Sequence, residues 1–317
     1  LFRINPEIIA CDLHPEYYST KYAQSLISKN PSLPLIQVQH HHAHLAACLA
    51  DNQWQSKEPV ICFSFDGTGY GTDGAIWGGE VLLGGYEKFE RVYHLDYFPL
   101  PGGDMAIRSP ARTSLALLWN AGLPWIDSLP PVRSLNPAEI NLLRSQLVKN
   151  INCVPTSSMG RLFDAVSALL NICNFSTYEG QAAMELEARC IPNVNSFYPF
   201  EIRERTFSVF PLLSELLNDL INHIPVSTIA TKFHNSIVNL IIELASIIRK
   251  NTGINDVALS GGVWQNVYLL NRVRASLKDS QFNVLIHHQV PANDGGIALG
   301  QALIANSKLR FSQHDTF

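Results

Sequence analysis

Apolar and polar positions change rhythm several times along this chain, and each change marks an element. Residues 8–11 read as a short buried strand, 16–28 as a helix stopped by Asn30-Pro31, and 35–39 as a second short strand. That strand runs into His40-His41-His42-Ala43-His44, and a helical pattern follows through Ala50. Residues 60–65 are continuously apolar, the mark of a strand covered on both faces, and end at Asp66-Gly67-Thr68-Gly69-Tyr70-Gly71. A meander of strands over 80–83 and 89–95 comes next.

From about Met105 to Arg189 the period is helical, with Met159, Leu162, Phe163, Val166, Leu169 and Leu170 on one face. Helices are predicted over 212–221 and 231–250; in the second, Phe233, Ile237, Leu240, Ile241 and Leu244 share a face, and Gly253 allows the chain to reverse. The tail alternates: strand 257–259, turn Ser260-Gly261-Gly262, helix 264–277, strand 282–286, loop 291–296 and helix 297–305. Strand–glycine turns near both ends of the chain predict two sheets facing each other across a cleft. No short-period repeat or low-complexity tract interrupts this α/β pattern.

Composition narrows the class. With 46% hydrophobic and 16% charged residues in 317, the chain can bury a core, and its length suits two domains or one large bilobed unit. A net charge of -4 and the lack of a basic stripe disfavour extended nucleic-acid binding. The stretch 237–248 is too short and too polar to span a bilayer, and no signal peptide is visible, so a cytoplasmic protein is expected. Six cysteines without a C-x-x-C pair read as reduced core residues. The chain opens on Leu1, which predicts a piece of a longer polypeptide.

The histidine run carries the strongest chemistry. His40 and His44 are four apart and share one helix face, where two imidazoles can bind one metal ion. A carboxylate or water must complete the sphere. His41 and His42 point elsewhere. Asp66-Gly67-Thr68-Gly69 is a phosphate-holding turn, a metal-ligand turn or an ordinary hairpin turn. Ser260-Gly261-Gly262 lets a phosphate or sugar approach a helix start, with Gln265 and Asn266 near a ribose, or else is a tight connection. Asp294, in Asn293-Asp294-Gly295-Gly296, is an N-cap or a metal ligand. Arg161 and Asp164 fit a helical ion pair, and His234 and His287 fit structural roles. No Gly-x-Ser-x-Gly elbow and no Walker A sequence occurs.

Taken together, several segments resemble the C-terminal part of the hydrogenase maturation factor HypF family: Ala10-Cys11-Asp12-Leu13-His14-Pro15, Val38 to His44, Phe65 to Gly71, Leu100-Pro101-Gly102-Gly103-Asp104, Gly160 to Ala165, Tyr178 to Ala183, Leu259 to Asn266 and Val290 to Gly300. The resemblance covers nearly the whole chain. It implies a bilobed, actin-like and sugar-kinase-like α/β fold (ASKHA) with a helical insertion, shared with tRNA threonylcarbamoyl-adenosine transferases. Residues 1–104 would be a partial N-terminal lobe, and 105–317 the helical segment and C-terminal lobe. It implies a divalent metal, iron or zinc, on His40, His44, Asp66 and Asp294. Nucleotide contacts, to ATP or carbamoyl adenylate, would fall on Asp66, Gly67, Thr68, Gly69, Asp164, Gly180 and Asn266. The implied activity is a carbamoyltransferase working with an upstream domain that forms carbamoyl adenylate. The implied acceptor is the C-terminal cysteine of a HypE-type partner, for cyanide-ligand synthesis. The acylphosphatase-like and zinc-finger segments usual in that family are not in this sequence, and the first hairpin of the N-terminal lobe is expected to be missing. Three alternatives remain: O-carbamoyl or tRNA threonylcarbamoyl transfer, a noncatalytic docking piece, and a metal hydrolase.

Overall fold

The computed structural model describes residues 5–314; Leu1 and its neighbours to 4, and 315–317, lie outside the described residues. The chain opens with β1 (Ile9–Asp12), α1 (Tyr18–Lys29) and β2 (Leu35–Val38), and the two strands form a small parallel sheet. Gln39 caps α2 (His40–Asp51) by accepting from the His42 backbone N–H, so the histidine run begins the helix. β3 (Val60–Tyr70), β4 (Ile76–Gly84) and β5 (Phe89–Leu95) make the antiparallel meander. β6 (Phe98–Pro101) leads into α3 (Asp104–Arg108), α4 (Pro110–Asn120), α5 (Pro130–Ser134) and α6 (Pro137–Lys149). Then come β7 (Cys153–Thr156), α7 (Met159–Leu169), α8 (Gln181–Glu187), β8 (Glu201–Ile202), β9 (Thr206–Ser208), α9 (Phe210–Ile221) and α10 (Val226–Thr252). The chain closes with β10 (Asp256–Ser260), α11 (Val267–Asp279), β11 (Asn283–Leu285) and α12 (Ile297–His314).

Among the described residues, nine strands form one mixed sheet. Its main path runs β11-β10-β3-β4-β5-β9-β8, with β7 pairing to β4 and β6. Strands from opposite ends of the sequence therefore lie side by side: Val257 to Ser260 pair in parallel with Ile61 to Ser64. This corrects the expectation of two facing sheets, because the turns after β3 and β10 open at the same edge of one sheet. β3 also does not stop at Asp66. Pairing to β4 resumes at Gly69 opposite Trp77, so Asp66-Gly67-Thr68 is a bulge within the strand.

One apolar core holds Phe63 and Phe65 of β3, Leu115 of α4, Phe163 of α7, Phe233 and Ile237 of α10, and Leu259 of β10. It crosses residue 104 without a break. The predicted face of α10 is buried as expected, and the helix begins earlier because Ile229 and Ala230 continue that face. Gly253 caps it in the left-handed region, φ 78°. The predicted helix from 264 is instead a 3₁₀ turn, Gly262–Gln265, after which Asn266 caps α11. All six cysteines are free thiols; Cys153 and Cys190 are half-buried rather than core.

Candidate functional site

The end of β2 and the start of α2 set the site. His40 and His44, one turn apart, aim both Nε2 atoms at the carboxylates of Asp66 and Asp294. His40 Nε2 lies 3.2 Å from Asp66 Oδ2 and 3.4 Å from Asp294 Oδ1, and His44 Nε2 lies 3.3 and 3.4 Å from the same two atoms. One ligand atom from each of the four residues falls within 4.8 Å of all the others. The bulge in β3 delivers Asp66, and the short 3₁₀ turn Asp294–Gly296 delivers Asp294. Asp66 is buried and also bridges to the next strand, accepting the Gly262 N–H at Oδ1, 2.9 Å. Its Oδ2 stays directed at the histidines.

Burial opposes charge on His40, but carboxylates at Asp12, Asp294 and Asp66 outweigh it and hold the pKa well above the ordinary value. His44 is raised in the same way, against its burial, by Asp294 and Asp66. Burial likewise works against ionised Asp66 and Asp294, and the two imidazoles overcome it, keeping both carboxyls below their usual range. The pocket is thus built for positive charge between two carboxylates. His44 Nε2 is fully buried and, among the described residues, has only these two ion-pair contacts and no well-aligned hydrogen bond. Such an atom is costly to bury unless something binds it. Two imidazole nitrogens and two carboxylate oxygens at one point suit a divalent transition metal.

The neighbouring histidines do other work. His42 donates from Nε2 to the Gly85 carbonyl, 2.7 Å, and burial lowers its pKa to about 4. His41 is buried, with Nδ1 3.2 Å from Gln39 Nε2.

The glycine positions gather beside the cluster. Ser158, which caps α7, donates to the Gly67 carbonyl at 2.5 Å, and so ties the helix start to the bulge. Gly69 packs on His40 and His41. Thr68, between Gly67 and Gly69 in sequence, is half-buried. Gly261 has φ +105°, and a Cβ there would lie 2.2 Å from the Phe65 carbonyl oxygen, so only glycine lets the β10 turn close on β3. Asp164 is buried and pairs with Arg161 at 2.9 Å; burial raises its pKa while Arg161 pulls it down. This is the helical ion pair that the spacing predicts. Arg161 also reaches toward Gly67, 3.6 Å from where a Cβ would stand. Asn266 caps α11: Oδ1 accepts the Leu269 N–H at 2.8 Å, and one Nδ2–H donates to His234 Nε2 at 2.9 Å. Gly180 stands at the start of α8 with φ +74° and open space around its Cα.

Asp12 belongs to this site, although sequence reasoning placed it only within a motif. Its Oδ2 accepts from His40 Nδ1 at 2.9 Å and its Oδ1 accepts the His14 N–H at 2.8 Å. The available signal was an acidic residue closing a short strand next to the histidine strand.

Family comparison identifies the chain's relatives. The model described as the HypF Kae1-like domain matches residues 1–51, and that of the carbamoyltransferase Kae1-like domain, second subdomain, matches 62–301. The chain belongs to the HypF carbamoyltransferase family. It is 40% identical to the carbamoyltransferase HypF of Synechocystis sp. over 96% of its own length, and spans 40% of the length of that relative. A crystal structure of full-length HypF in its phosphate- and nucleotide-bound form superposes with a TM-score of 0.89 at 43% identity, over 98% of this chain and 48% of that one. A more distant likeness, 26% identity over 47% of this chain and 45% of the relative, is to the tRNA N6-adenosine threonylcarbamoyltransferase of Ehrlichia ruminantium. The fold is thus the mixed α/β Kae1-like fold of HypF. Among the described residues, no helix is long and apolar enough to cross a membrane.

Proposed function

We propose that this chain performs the carbamoyl-transfer half of the HypF reaction. A carbamoyl group passes from carbamoyl adenylate to the C-terminal cysteine of a HypE-type protein, toward the cyanide ligands of nickel–iron hydrogenases. The observation that carries the reading is the convergence of His40, His44, Asp66 and Asp294, in a chain of this family. An upstream adenylate-forming domain, outside this sequence, makes the donor in the cytoplasm. The actin-like, bilobed view belongs to the same reading: residues 1–104 carry the metal motif and 105–317 the helical segment and remaining cleft strands. The separate β1–β2 sheet fits a small first lobe, while the sheet and the core that both continue across residue 104 speak against a division at that residue.

His40, His44, Asp66 and Asp294 would hold iron or zinc. Bound there, the metal supplies a Lewis acid that polarises the carbamoyl oxygen. Asp12 fixes the His40 ring through Nδ1 and leaves Nε2 facing the centre. Backbone at Gly67, Thr68 and Gly69 and at the Gly261-Gly262 turn holds the phosphate of the adenylate. Asp164 and Gly180 border the nucleotide. Asn266 also borders the nucleotide, while its side chain caps α11 and bonds His234. The acceptor thiol, already deprotonated, forms the C–S bond as the C–O bond to AMP breaks, and AMP leaves with the electron pair.

The test is single-turnover transfer from carbamoyl adenylate to a cysteine-ended HypE-type protein, using the metal-loaded chain and a His40→Ala/His44→Ala variant. Transfer by the loaded chain and loss in the variant are expected. Undiminished transfer by metal-stripped protein would overturn the reading.

A further inference from the structure

The helix that carries the histidines also grips the loop that carries Asp294. Asp51 ends α2, eleven residues beyond His40, about 17 Å along a rigid helix. Its side chain is only 2% exposed. The carboxylate accepts backbone N–H groups from three successive residues: His288, Gln289 at 3.0 Å and Val290 at 3.4 Å. Its neighbour Asn52 donates from Nδ2 to the Ile286 carbonyl, 2.8 Å. His287, between these grips, places Nε2 2.8 Å from Ser260 Oγ and Nδ1 3.9 Å from Asp51 Oδ2.

Ser260, His287 and Asp51 are the residue types of an acyl-transfer triad, but Ser260 is fully buried and its hydroxyl donates to the His44 carbonyl, 2.8 Å. Ser260 therefore accepts from His287 Nε2, and His287 Nδ1 makes no hydrogen bond to Asp51 at 3.9 Å, so the three residues pack together as a brace rather than a nucleophile. It joins α2, the end of β10 and the segment after β11. Asp294 contrasts with it: 64% of its side chain is exposed, and its carboxylate meets the histidines at 3.4 Å. Its position depends on how the preceding loop is held.

We propose that Asp51 is a positioning residue for the metal site, clamping residues 288–290 to α2 so that Asp294 stands at the histidine pair. The proposal rests on the metal reading above. It is tested on the full chain with Asp51→Ala and the milder Asp51→Asn, which keeps the shape and one acceptor oxygen if the alanine variant does not fold. Hydrogen exchange at amides 288–290 reads the clamp without any metal. Zinc titration reads its consequence.

Exchange at these amides should rise at least about tenfold in Asp51→Ala, and zinc affinity should fall about 10–100-fold, the usual effect of losing an outer-shell support. In an Asp294→Ala background the same change should leave zinc affinity within about twofold, because the only route of action is gone. Unchanged protection at 288–290, or equal weakening of zinc in both backgrounds, would overturn the clamp. A wild-type chain that binds neither zinc nor ferrous iron, while the variant still releases these amides, would overturn the metal reading and leave Asp51 as a clamp on residues 288–290 alone.

Discussion

Both ring nitrogens of His40 are engaged, and the division of labour between them matters. Nδ1 faces Asp12 at 2.9 Å, while Nε2 faces the Asp66 and Asp294 carboxylates. A carboxylate on the far nitrogen fixes the tautomer and makes the near one a better ligand. Replacing Asp12 with Ala should lower affinity for zinc or iron about 10–100-fold without unfolding the chain, as read by competition with a chromophoric chelator. Equal affinity in the two proteins would remove Asp12 from the site.

His234 is a second residue whose role rests on its protons. Burial lowers its pKa to about 4, against the bond that its Nδ1 makes to the Ala230 carbonyl. In the unfolded chain a histidine titrates near 6.5, on the order of model values. Above that pH both states are neutral and nothing changes. Between about 6.5 and 4 only the unfolded state takes up the proton, so stability falls as pH falls, by about 3 kcal/mol in all, then levels off. Urea unfolding at pH 7 and 4.5 should therefore show a smaller difference in His234→Gln than in the parent chain. An identical difference would mean that His234 is not held neutral.

Among elements, the contact between α2 and α12 leaves no room. A Cβ on Gly300 would lie 1.9 Å from the Ala43 carbonyl oxygen. Gly300→Val should cost about 3 kcal/mol by overpacking, seen as a lower denaturation midpoint with the same slope. An unchanged midpoint would show that the two helices can separate freely. Signals of this local kind were partly readable in the sequence. The face of α10 follows from period alone, since Phe233, Ile237 and Leu240 recur at helical spacing. The bulge in β3 was hidden, because Asp-Gly-Thr-Gly looks like a turn and only the distant partners Trp77 and Ile76 extend the strand past it. The break before α11 was hidden because the apolar residues on both sides of Gln265-Asn266 read as one helix, although Asn266 is a good cap residue three places before Leu269. The histidine pair was legible because both imidazoles sit one turn apart on one helix. Asp12 and Asp51 were not, since each acts on a chain segment far away in sequence.

For the whole molecule, the four residues proposed to bind metal come from three segments: the start of α2, the bulge of β3 and the turn before α12. A cation bound to all of them ties two early segments of the chain to one near its end. The unfolded chain cannot present that arrangement, so binding should add to folding stability by mass action. At free metal one hundred times Kd the gain is about 2.7 kcal/mol, and a chelator should remove it. Chemical denaturation of loaded and chelated protein should differ by that amount, while His40→Ala/His44→Ala should show no difference. The core common to Phe63, Phe163, Phe233 and Leu259 predicts that the gain appears across the molecule in one transition, rather than in a separate early step. Loaded and chelated wild-type chains that unfold at the same midpoint would mean that these four side chains hold no cation, and that their mutual ion pairs alone fill the site.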